Sequence, residues 1–206
     1  TNAIIHVLRC FENDNITHVD GSIDPVRDKG IIDTELQLKD LETIENRLAK
    51  TQKQAVVGGD KQAKRAVEIL LQYKAVLEQG LSARTVELEK EDRKLVADLN
   101  LLTDKPVLYV CNVDEKSAVT GNEHTRAVEA AIADERAEML IVAAATEADI
   151  AELDEYEERQ MFLEEIGLKE SGVARLIKAA YKLLDFQTSF TTGADESRAW
   201  TFRLSL

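Results

Sequence analysis

The chain has 206 residues, a hydrophobic content of 44% and a formal net charge of −13, enough sequence for one large domain or two small ones. It contains no apolar run of about 18 residues, which excludes a transmembrane helix at the level of sequence. The strong negative charge argues against a nucleic-acid surface that covers the whole protein.

The first half of the chain predicts one strand, a loop and two long helices. Residues 3–11 form an apolar run typical of a core strand, and the polar stretch 12–30, which includes Pro25, predicts a loop. A helical pattern begins at Ile32. Apolar residues then recur at steps of three and four, before and after Gly58 and Gly59, and the second pattern ends at Gly80, a candidate C-terminal cap. Two amphipathic helices joined by a Gly-Gly turn predict an antiparallel hairpin.

The second half alternates short apolar runs with helical patterns, which is typical of an α/β fold. Strands are predicted at 106–111 and 139–143. Helices are predicted at 89–99, 123–137, from about 147, 156–166 and 172–184. Thr146 is a candidate N-cap for the helix that starts near Glu147. The tail from residue 186, rich in Thr and aromatic residues, predicts short strands.

The cysteines and the N-terminal residues bear on the cellular compartment. Cys10 and Cys111 lie in or at the end of apolar runs, which favours buried, reduced, structural thiols in a cytoplasmic protein. No Cys/His pattern has metal-ligand spacing. No basic segment precedes the first strand, so we expect no signal peptide. A chain that opens directly in a strand is expected to be part of a longer one.

Charge is distributed unevenly. The stretch 147–170 holds ten acidic and two basic residues, and the stretch 50–65 holds five basic residues and one acidic residue. The five basic residues are Lys50, Lys53, Lys61, Lys64 and Arg65. The plain interpretation of both stretches is a solvated helix face, but the basic one coincides with the predicted turn of the hairpin.

The strand at 106–111 is followed by Asn112, Val113, Asp114 and Glu115. In open α/β sheets, ligands bind beyond the carboxyl ends of the strands. Guanine-nucleotide switches place their base-reading Asn-Lys-x-Asp at such a position. Here Glu replaces the Asp and Val replaces the Lys, so a different purine, adenine, becomes plausible. The simpler alternative is that Asn112 caps the junction between strand and loop.

Several segments together resemble one family, the YchF/Obg-like ATPases, over nearly the whole chain. The matching segments are Arg9–Val19, Gly58–Lys61, Asn112–Glu115, Asp149–Leu153 and Arg198–Thr201. The segment Arg9–Val19 is the most specific. The Asn-x-x-Glu motif is specific only in combination with the other segments. The competing interpretation is an unrelated α/β domain that matches by chance.

The resemblance implies an α/β fold: a partial P-loop G domain with a mostly parallel sheet, an inserted antiparallel helical hairpin and the start of a C-terminal TGS β-grasp domain. The implied boundaries are 1–31 and 100–187 for the two G-domain segments, 32–99 for the hairpin and 188–206 for the TGS domain. The implied activity is ATP binding and hydrolysis by a cytoplasmic, ribosome-associated protein.

Residue roles follow from the same resemblance. Asn112 would bond the edge of the adenine, Val113 would pack against its ring and Glu115 would replace the guanine-specific Asp. Backbone contacts beside the base would come from Ala144, Ala145 and Thr146. His18 matches a histidine thought to orient the attacking water, and its alternative is a loop histidine without a role.

The phosphate-binding half of such a site is missing from the sequence. No Gly-x-x-x-x-Gly-Lys-[Ser/Thr] loop and no Asp-x-x-Gly switch segment of the family occurs. The Mg²⁺ expected in an intact family member would therefore have its ligands elsewhere. We expect the 206-residue chain not to hydrolyse ATP alone.

A second hypothesis makes the helical hairpin an interaction module, with nucleotide binding incidental. Its basic turn would contact rRNA phosphates on the ribosome, which would make binding sensitive to salt. The two hypotheses are compatible, because a nucleotide switch can regulate its own docking arm.

Overall fold

The computed structural model describes residues 1–13, 15–17, 21–57, 60–135, 137–193 and 196–204. The chain divides into two compact units, one formed by residues 1–28 and 106–206 and the other by residues 29–105. We call them the sheet unit and the helical unit. Within the described ranges, no helix is both long enough and apolar enough to cross a bilayer. His18, Gly58 and Gly59 lie outside the described residues.

The elements follow one another in an α/β order. The strands are β1 (Ile4–Arg9), β2 (Val107–Asn112), β3 (Glu138–Val142), β4 (Phe186–Thr192) and β5 (Ser197–Arg203). The helices are α1 (Pro25–Val57), α2 (Lys61–Glu78), α3 (Lys90–Val96), α4 (Glu123–Ala131), α5 (Ala144–Glu152), α6 (Tyr156–Glu165) and α7 (Gly172–Leu183). Short 3₁₀ turns cover 83–85, 97–99 and 115–117.

The sheet of the sheet unit is parallel and three-stranded, in the order β1-β2-β3. Side chains alternate between its two faces. One face carries the hydrophobic core, in which Leu8, Tyr109 and Cys111 pack with Val128 of α4. An α/β fold with a parallel sheet is therefore confirmed.

The other face of the sheet is covered unevenly. Helix α7 starts beside Val142 and its Lys182 reaches Glu138 at 2.5 Å, so it runs along β3 in the opposite direction. Val110 of the neighbouring strand is 6% exposed, whereas Val7, its register partner on β1, is 62% exposed. The prediction of a buried core strand at 3–11 was correct for one face of β1 and wrong for the other. Among the described residues β1 pairs with β2 alone, and Ile5 and Val7 on its other face are 48% and 62% exposed.

Antiparallel strands β4 and β5 form a separate two-stranded hairpin, as the composition of the tail predicted. Both strands are exposed along almost their whole length. Tyr181 of α7 packs edge-on against Phe186 with ring centroids 6.0 Å apart, and this contact ties the hairpin to the helix that precedes it.

Helix α1 begins seven residues earlier than the polar composition of 12–30 predicted. Asp24 Oδ1 accepts a hydrogen bond of 3.0 Å from the Arg27 amide, and Pro25 occupies the first helical position. A proline fits there because its missing N–H would be unsatisfied in any case. Pro25, which was predicted to lie in a loop, is thus the first residue of the helix.

The helical unit has its own core, built from Ile44, Ile69, Leu70 and Tyr73 with their apolar neighbours. Gln37 bonds the carbonyl of Gly80 at 2.9 Å and Lys74 pairs with Glu45 at 2.7 Å. The start of α1 therefore lies beside the end of α2, and the two helices are antiparallel.

Gly80 terminates α2 with φ +74°, the left-handed conformation that favours glycine. The amides of Gly80 and Leu81 donate to the carbonyls of Leu77 and Val76 at 3.0 and 3.1 Å. These bonds satisfy the last turn of the helix, and the predicted C-terminal cap is confirmed.

A buried carboxylate joins α1 to the segment that leads out of the helical unit. Asp40 is 2% exposed. It accepts hydrogen bonds of 2.8 Å from the Leu102 amide and of 2.7 Å from both the amide and the hydroxyl of Thr103. The same hydroxyl accepts from the Ala83 amide at 3.1 Å, so one network fixes three segments.

Candidate functional site

The carboxyl ends of the three parallel strands lie level with one another. Arg9, Asn112 and Val142 are register partners at the last positions of β1, β2 and β3. The Cys10 amide donates to the Asn112 carbonyl at 2.7 Å, and the Val113 amide donates to the Val142 carbonyl at 2.9 Å. The loops that follow these strands therefore leave the sheet at one edge.

Asn112 and Ala144, two residues predicted to read a purine, are in direct contact. Asn112 Oδ1 accepts a hydrogen bond of 3.0 Å from the Ala144 amide. The bond satisfies a free donor at the first turn of α5, which has no side-chain cap at its N-terminus. The Asn112 side chain thus fixes the loop after β2 to the start of α5, which follows β3.

Val113 and Thr146 occupy different environments from those predicted. Val113 is 3% exposed within the core of the sheet unit, so its side chain does not offer a surface to a ring. Thr146 is 4% exposed inside α5, which begins at Ala144, so its prediction as an N-cap was wrong. The helix begins two residues before Thr146, at Ala144, whose amide donates to the Asn112 side chain.

Glu115 and the first alanines of α5 remain accessible. Glu115 begins the 3₁₀ turn 115–117, which Asp114 caps by accepting from the Ser117 amide at 2.9 Å. Glu115, Ala144 and Ala145 are all exposed. Together with the half-buried Asn112, these residues are accessible to solvent on the segments that follow β2 and β3.

Arg9 shapes the loop that leads from β1 toward the predicted catalytic histidine. Its guanidinium donates to the carbonyls of Phe11, Asn13 and Ile16 at 3.2, 3.3 and 3.0 Å. It also lies 4.9 Å from the centroid of the Phe11 ring. His18 follows this loop outside the described residues, so its position relative to Asn112 stays a prediction.

Asn122 is a residue of this edge that the sequence reasoning missed. Its Nδ2 donates to the Cys10 carbonyl at 2.7 Å, and its Oδ1 accepts from the Thr125 amide at 3.0 Å. The Thr125 hydroxyl accepts from the Asn122 amide at 2.8 Å, which completes a capping box at the start of α4. The Asn-x-x-Thr spacing is a signal from which the cap could have been predicted, but the bond to β1 is visible only in the fold.

The two cysteines lie directly beneath this edge. Cys10 and Cys111 are free and both are 0% exposed. A hydrogen bond with the Cys111 thiol, together with burial, raises the pKa of the Cys10 thiol. Within the described residues, no cluster of three or more His, Cys, Asp or Glu side chains could hold a metal ion.

Comparison with known proteins places these features in a family. No protein-family model matches the chain. The chain is 49% identical over 204 residues to the ribosome-binding ATPase YchF of Bacillus subtilis (strain 168), in an alignment covering 98% of this chain and 55% of that protein. It is 39% identical over 208 residues to Obg-like ATPase 1 of Rattus norvegicus, with 98% of this chain and 52% of that protein covered.

A solved structure of the same family has a similar fold. The Schizosaccharomyces pombe YchF GTPase matches with a TM-score of 0.86 and 28% identity, over 98% of this chain and 55% of that chain. The chain spans about half the length of the curated relatives it matches. Because sequence and fold agree over nearly its whole length, the chain belongs to the YchF/Obg-like ATPase family.

Proposed function

We propose that this chain carries the adenine-reading half of the nucleotide site of a ribosome-associated, ATP-hydrolysing P-loop protein. The observation that carries the proposal is the 3.0 Å bond from the Ala144 amide to Asn112 Oδ1. It brings the loop after β2 to the start of α5, so that groups from both can contact one base. A purine edge needs such a set of fixed amide donors and acceptors.

The residues take the following roles. Asn112 holds the loop geometry with its Oδ1 and presents its amide nitrogen to the base. Glu115 accepts from an exocyclic amine, and the exposed backbone at Ala144 and Ala145 flanks the ring. Val113 anchors the loop in the core instead of stacking on the base, since its side chain is buried.

The wider domain assignment belongs to the same proposal. The G domain takes residues 1–31 and 100–187, the inserted helical hairpin takes 32–99, and 188–206 begin a TGS domain. The division of the chain at 28/29 and 105/106 supports these boundaries, and the exposed β4–β5 hairpin supports a domain that begins there. ATP and Mg²⁺ are the proposed cofactors of the intact, cytoplasmic protein, and bound Mg²⁺ would neutralise phosphate charge.

Base recognition is tested by NMR titration of the chain with ATP and GTP, following the amide of Ala144. We expect ATP to change the chemical shift of the Ala144 amide more than GTP does. In Asn112→Ala, neither nucleotide should change it. Asn2→Ala, at an exposed position outside the sheet, is the matched control and leaves the shifts unchanged. Glu115→Asp, with a shorter acid, moves the preference toward GTP. A parent chain that responds more strongly to GTP would contradict the proposal.

Hydrolysis is tested separately, by phosphate release. We expect none from the 206-residue chain, and robust turnover free of contaminating ATPase would overturn that expectation. His18→Ala is compared in a version extended to the length of the relatives. There we expect slower hydrolysis with unchanged ATP affinity, because an imidazole that orients water acts on the chemical step.

A second candidate function is ribosome contact through the basic end of the helical unit. Lys50, Lys53, Lys61 and Lys64 are exposed and have no ion pair within the described ranges. Arg65 differs from them, because it pairs with Asp92 at 2.6 Å and with Glu68 at 2.7 Å. The free charge of this end therefore comes from the four lysines.

Co-sedimentation with ribosomes at two salt concentrations tests this contact. Lys61→Glu with Lys64→Glu should weaken association, and more so at low salt, because phosphate contacts release counterions. The matched control is Lys39→Glu with Lys94→Glu, which changes the net charge equally at exposed positions elsewhere in the helical unit. Equal effects of the two pairs would show that only the overall charge matters.

A further inference from the structure

The outer side of α6 combines concentrated negative charge with an exposed apolar side chain. Met161 is 71% exposed. Positions three and four residues before and after it are all glutamates, and all four are exposed: Glu157, Glu158, Glu164 and Glu165. Such positions are neighbours on a helix surface, so four carboxylates surround one thioether. None of the four has an ion pair within the described part of the chain.

Two open grooves flank this side of the helix and share Phe162 and Glu165. One, of about 520 Å³, is lined by Leu153, Glu158, Met161, Phe162, Glu164 and Glu165. The other, of about 530 Å³, is lined by Glu115, Lys116, Val119, Phe162, Glu165 and Ile166. The lining of both grooves combines apolar side chains, here called the floor, with charged side chains that are mainly acidic, here called the rim. We call the two grooves together the α6 surface.

The composition of the α6 surface restricts what can bind there. Its carboxylates repel the phosphates of nucleic acids and of anionic lipids. They also repel the same surface on a second copy of the chain. Lys or Arg side chains complement the rim, and apolar side chains complement the floor. An apolar patch rimmed by charged residues is typical of a protein interaction site.

We propose that the α6 surface docks a basic amphipathic helical segment of a partner protein. The apolar face of such a helix would lie along the floor, over Phe162 and Met161, and its flanking lysines or arginines would pair with Glu158, Glu164 and Glu165. This is the helix-in-groove mode of peptide recognition, with anchors spaced by three and four residues. The inference goes beyond the proposed nucleotide site and needs no bound nucleotide.

The test is fluorescence anisotropy with a labelled amphipathic helical peptide built from Lys and Leu, at physiological salt. No nucleotide is added, because Glu115 lines one of the grooves. We expect saturable binding by the 206-residue chain. Replacing every Leu of the peptide by Ser should reduce affinity at least tenfold, because the floor then has no apolar partner.

Variants locate the binding surface. Glu164→Lys with Glu165→Lys should weaken binding at least tenfold. Glu123→Lys with Glu129→Lys, which alters the same charge at exposed positions of α4, should leave affinity within about twofold, since exposed charges are screened over about 8 Å. Met161→Gln should weaken binding at least threefold without changing any charge. Circular dichroism checks that each variant folds.

Several outcomes would overturn the proposal. Equal weakening by both charge pairs would show attraction to net charge alone. An unchanged affinity in Met161→Gln together with Glu164→Lys and Glu165→Lys would place the peptide elsewhere. Self-association in sedimentation velocity that those variants abolish would identify a second copy as the occupant. Direct binding of a labelled short RNA by the 206-residue chain that Met161→Gln weakens would also contradict a protein partner.

Discussion

The two units of this chain differ in how completely they satisfy their own groups. In the helical unit a buried carboxylate has three hydrogen bonds, and long-range ion pairs such as Arg47 with Asp98, at 2.8 Å, close its surface. The sheet unit leaves Ile5 48% and Val7 62% exposed on an edge strand. Two guanidinium nitrogens of Arg175 are buried without a partner among the described residues. The difference lies in the buried polar groups: Asp40 in the helical unit is fully hydrogen-bonded, whereas the sheet unit buries guanidinium nitrogens without a partner among the described residues. Exposed apolar side chains occur in both units, as Leu38 at 61% and Val56 at 83% show for the helical unit.

The largest expected effect concerns the buried carboxylate of the helical unit. Asp40→Ala removes the acceptor for the Leu102 amide and for both donors of Thr103. Leaving these donors unsatisfied should cost about 3 kcal/mol or more of unfolding free energy. Urea denaturation measures the loss, and hydrogen exchange should place it in residues 29–105.

Asp98→Ala is the matched control, because Asp98 pairs with Arg47 while its side chain is 60% exposed. Exposed ion pairs contribute about 1 kcal/mol or less. A loss of similar size in both variants would contradict the view that the buried network closes the helical unit.

Because helices cover the sheet unevenly, the same substitution should have unequal effects on stability at two positions. Val110→Thr places a hydroxyl where the side chain is 6% exposed, and should cost about 1–2 kcal/mol. Val7→Thr, at its register partner on β1, should change stability by less than about 0.5 kcal/mol. Both residues are β-branched, so strand propensity is nearly constant. Thermal unfolding compares the pair, and equal losses would mean that β1 is covered in solution.

Replacing the unpaired guanidinium should stabilise the sheet unit. Nε and Nη2 of Arg175 are buried without hydrogen-bond partners within the described ranges. Arg175→Met removes the cation and keeps much of the length, so we expect a gain of about 1 kcal/mol. Arg126→Met, on the exposed side of α4, should change stability by less than about 0.5 kcal/mol. A loss of stability in Arg175→Met would show that the guanidinium has a partner in solution.

The smallest expected effect depends on pH and lies in the helical unit. Burial raises the pKa of Asp104, and the nearby charges of Arg93 and Arg84 offset part of the rise. The folded chain then binds this proton more tightly than the unfolded chain does. The carboxylate therefore lowers stability above its folded pKa, and this penalty disappears as pH falls toward the ordinary value of 3.8.

Asp104→Asn should consequently be more stable than the parent near pH 7, with an advantage that shrinks as the solution is acidified. Urea denaturation between pH 7 and about pH 4 measures the difference. Asp98→Asn, at an exposed position of the same unit, should show no such advantage. An advantage of Asp104→Asn that grows on acidification would contradict a raised pKa.

The local pattern of the sequence was sufficient wherever one short segment fixes the structure. The apolar runs predicted β2 and β3, the three- and four-residue spacing predicted α2, and Gly80 predicted the end of that helix. The prediction of a loop at Pro25 was wrong, because a proline is compatible both with a loop and with the first turn of a helix. Only the cap from Asp24 distinguishes the two. The β2–loop motif indicated the edge at which Asn112 lies, but not its partner.

Residue identity, spacing and charge determined that the chain is an α/β protein with a long helical segment, and they carried the resemblance to its family. The tertiary structure decided which faces are buried, that Val113 points into the core, that Asn112 binds Ala144, and that Asn122 reaches β1. These outcomes depend on contacts between residues far apart in sequence. Their geometry is set by how sheet and helices pack, and a local pattern of side chains does not encode it.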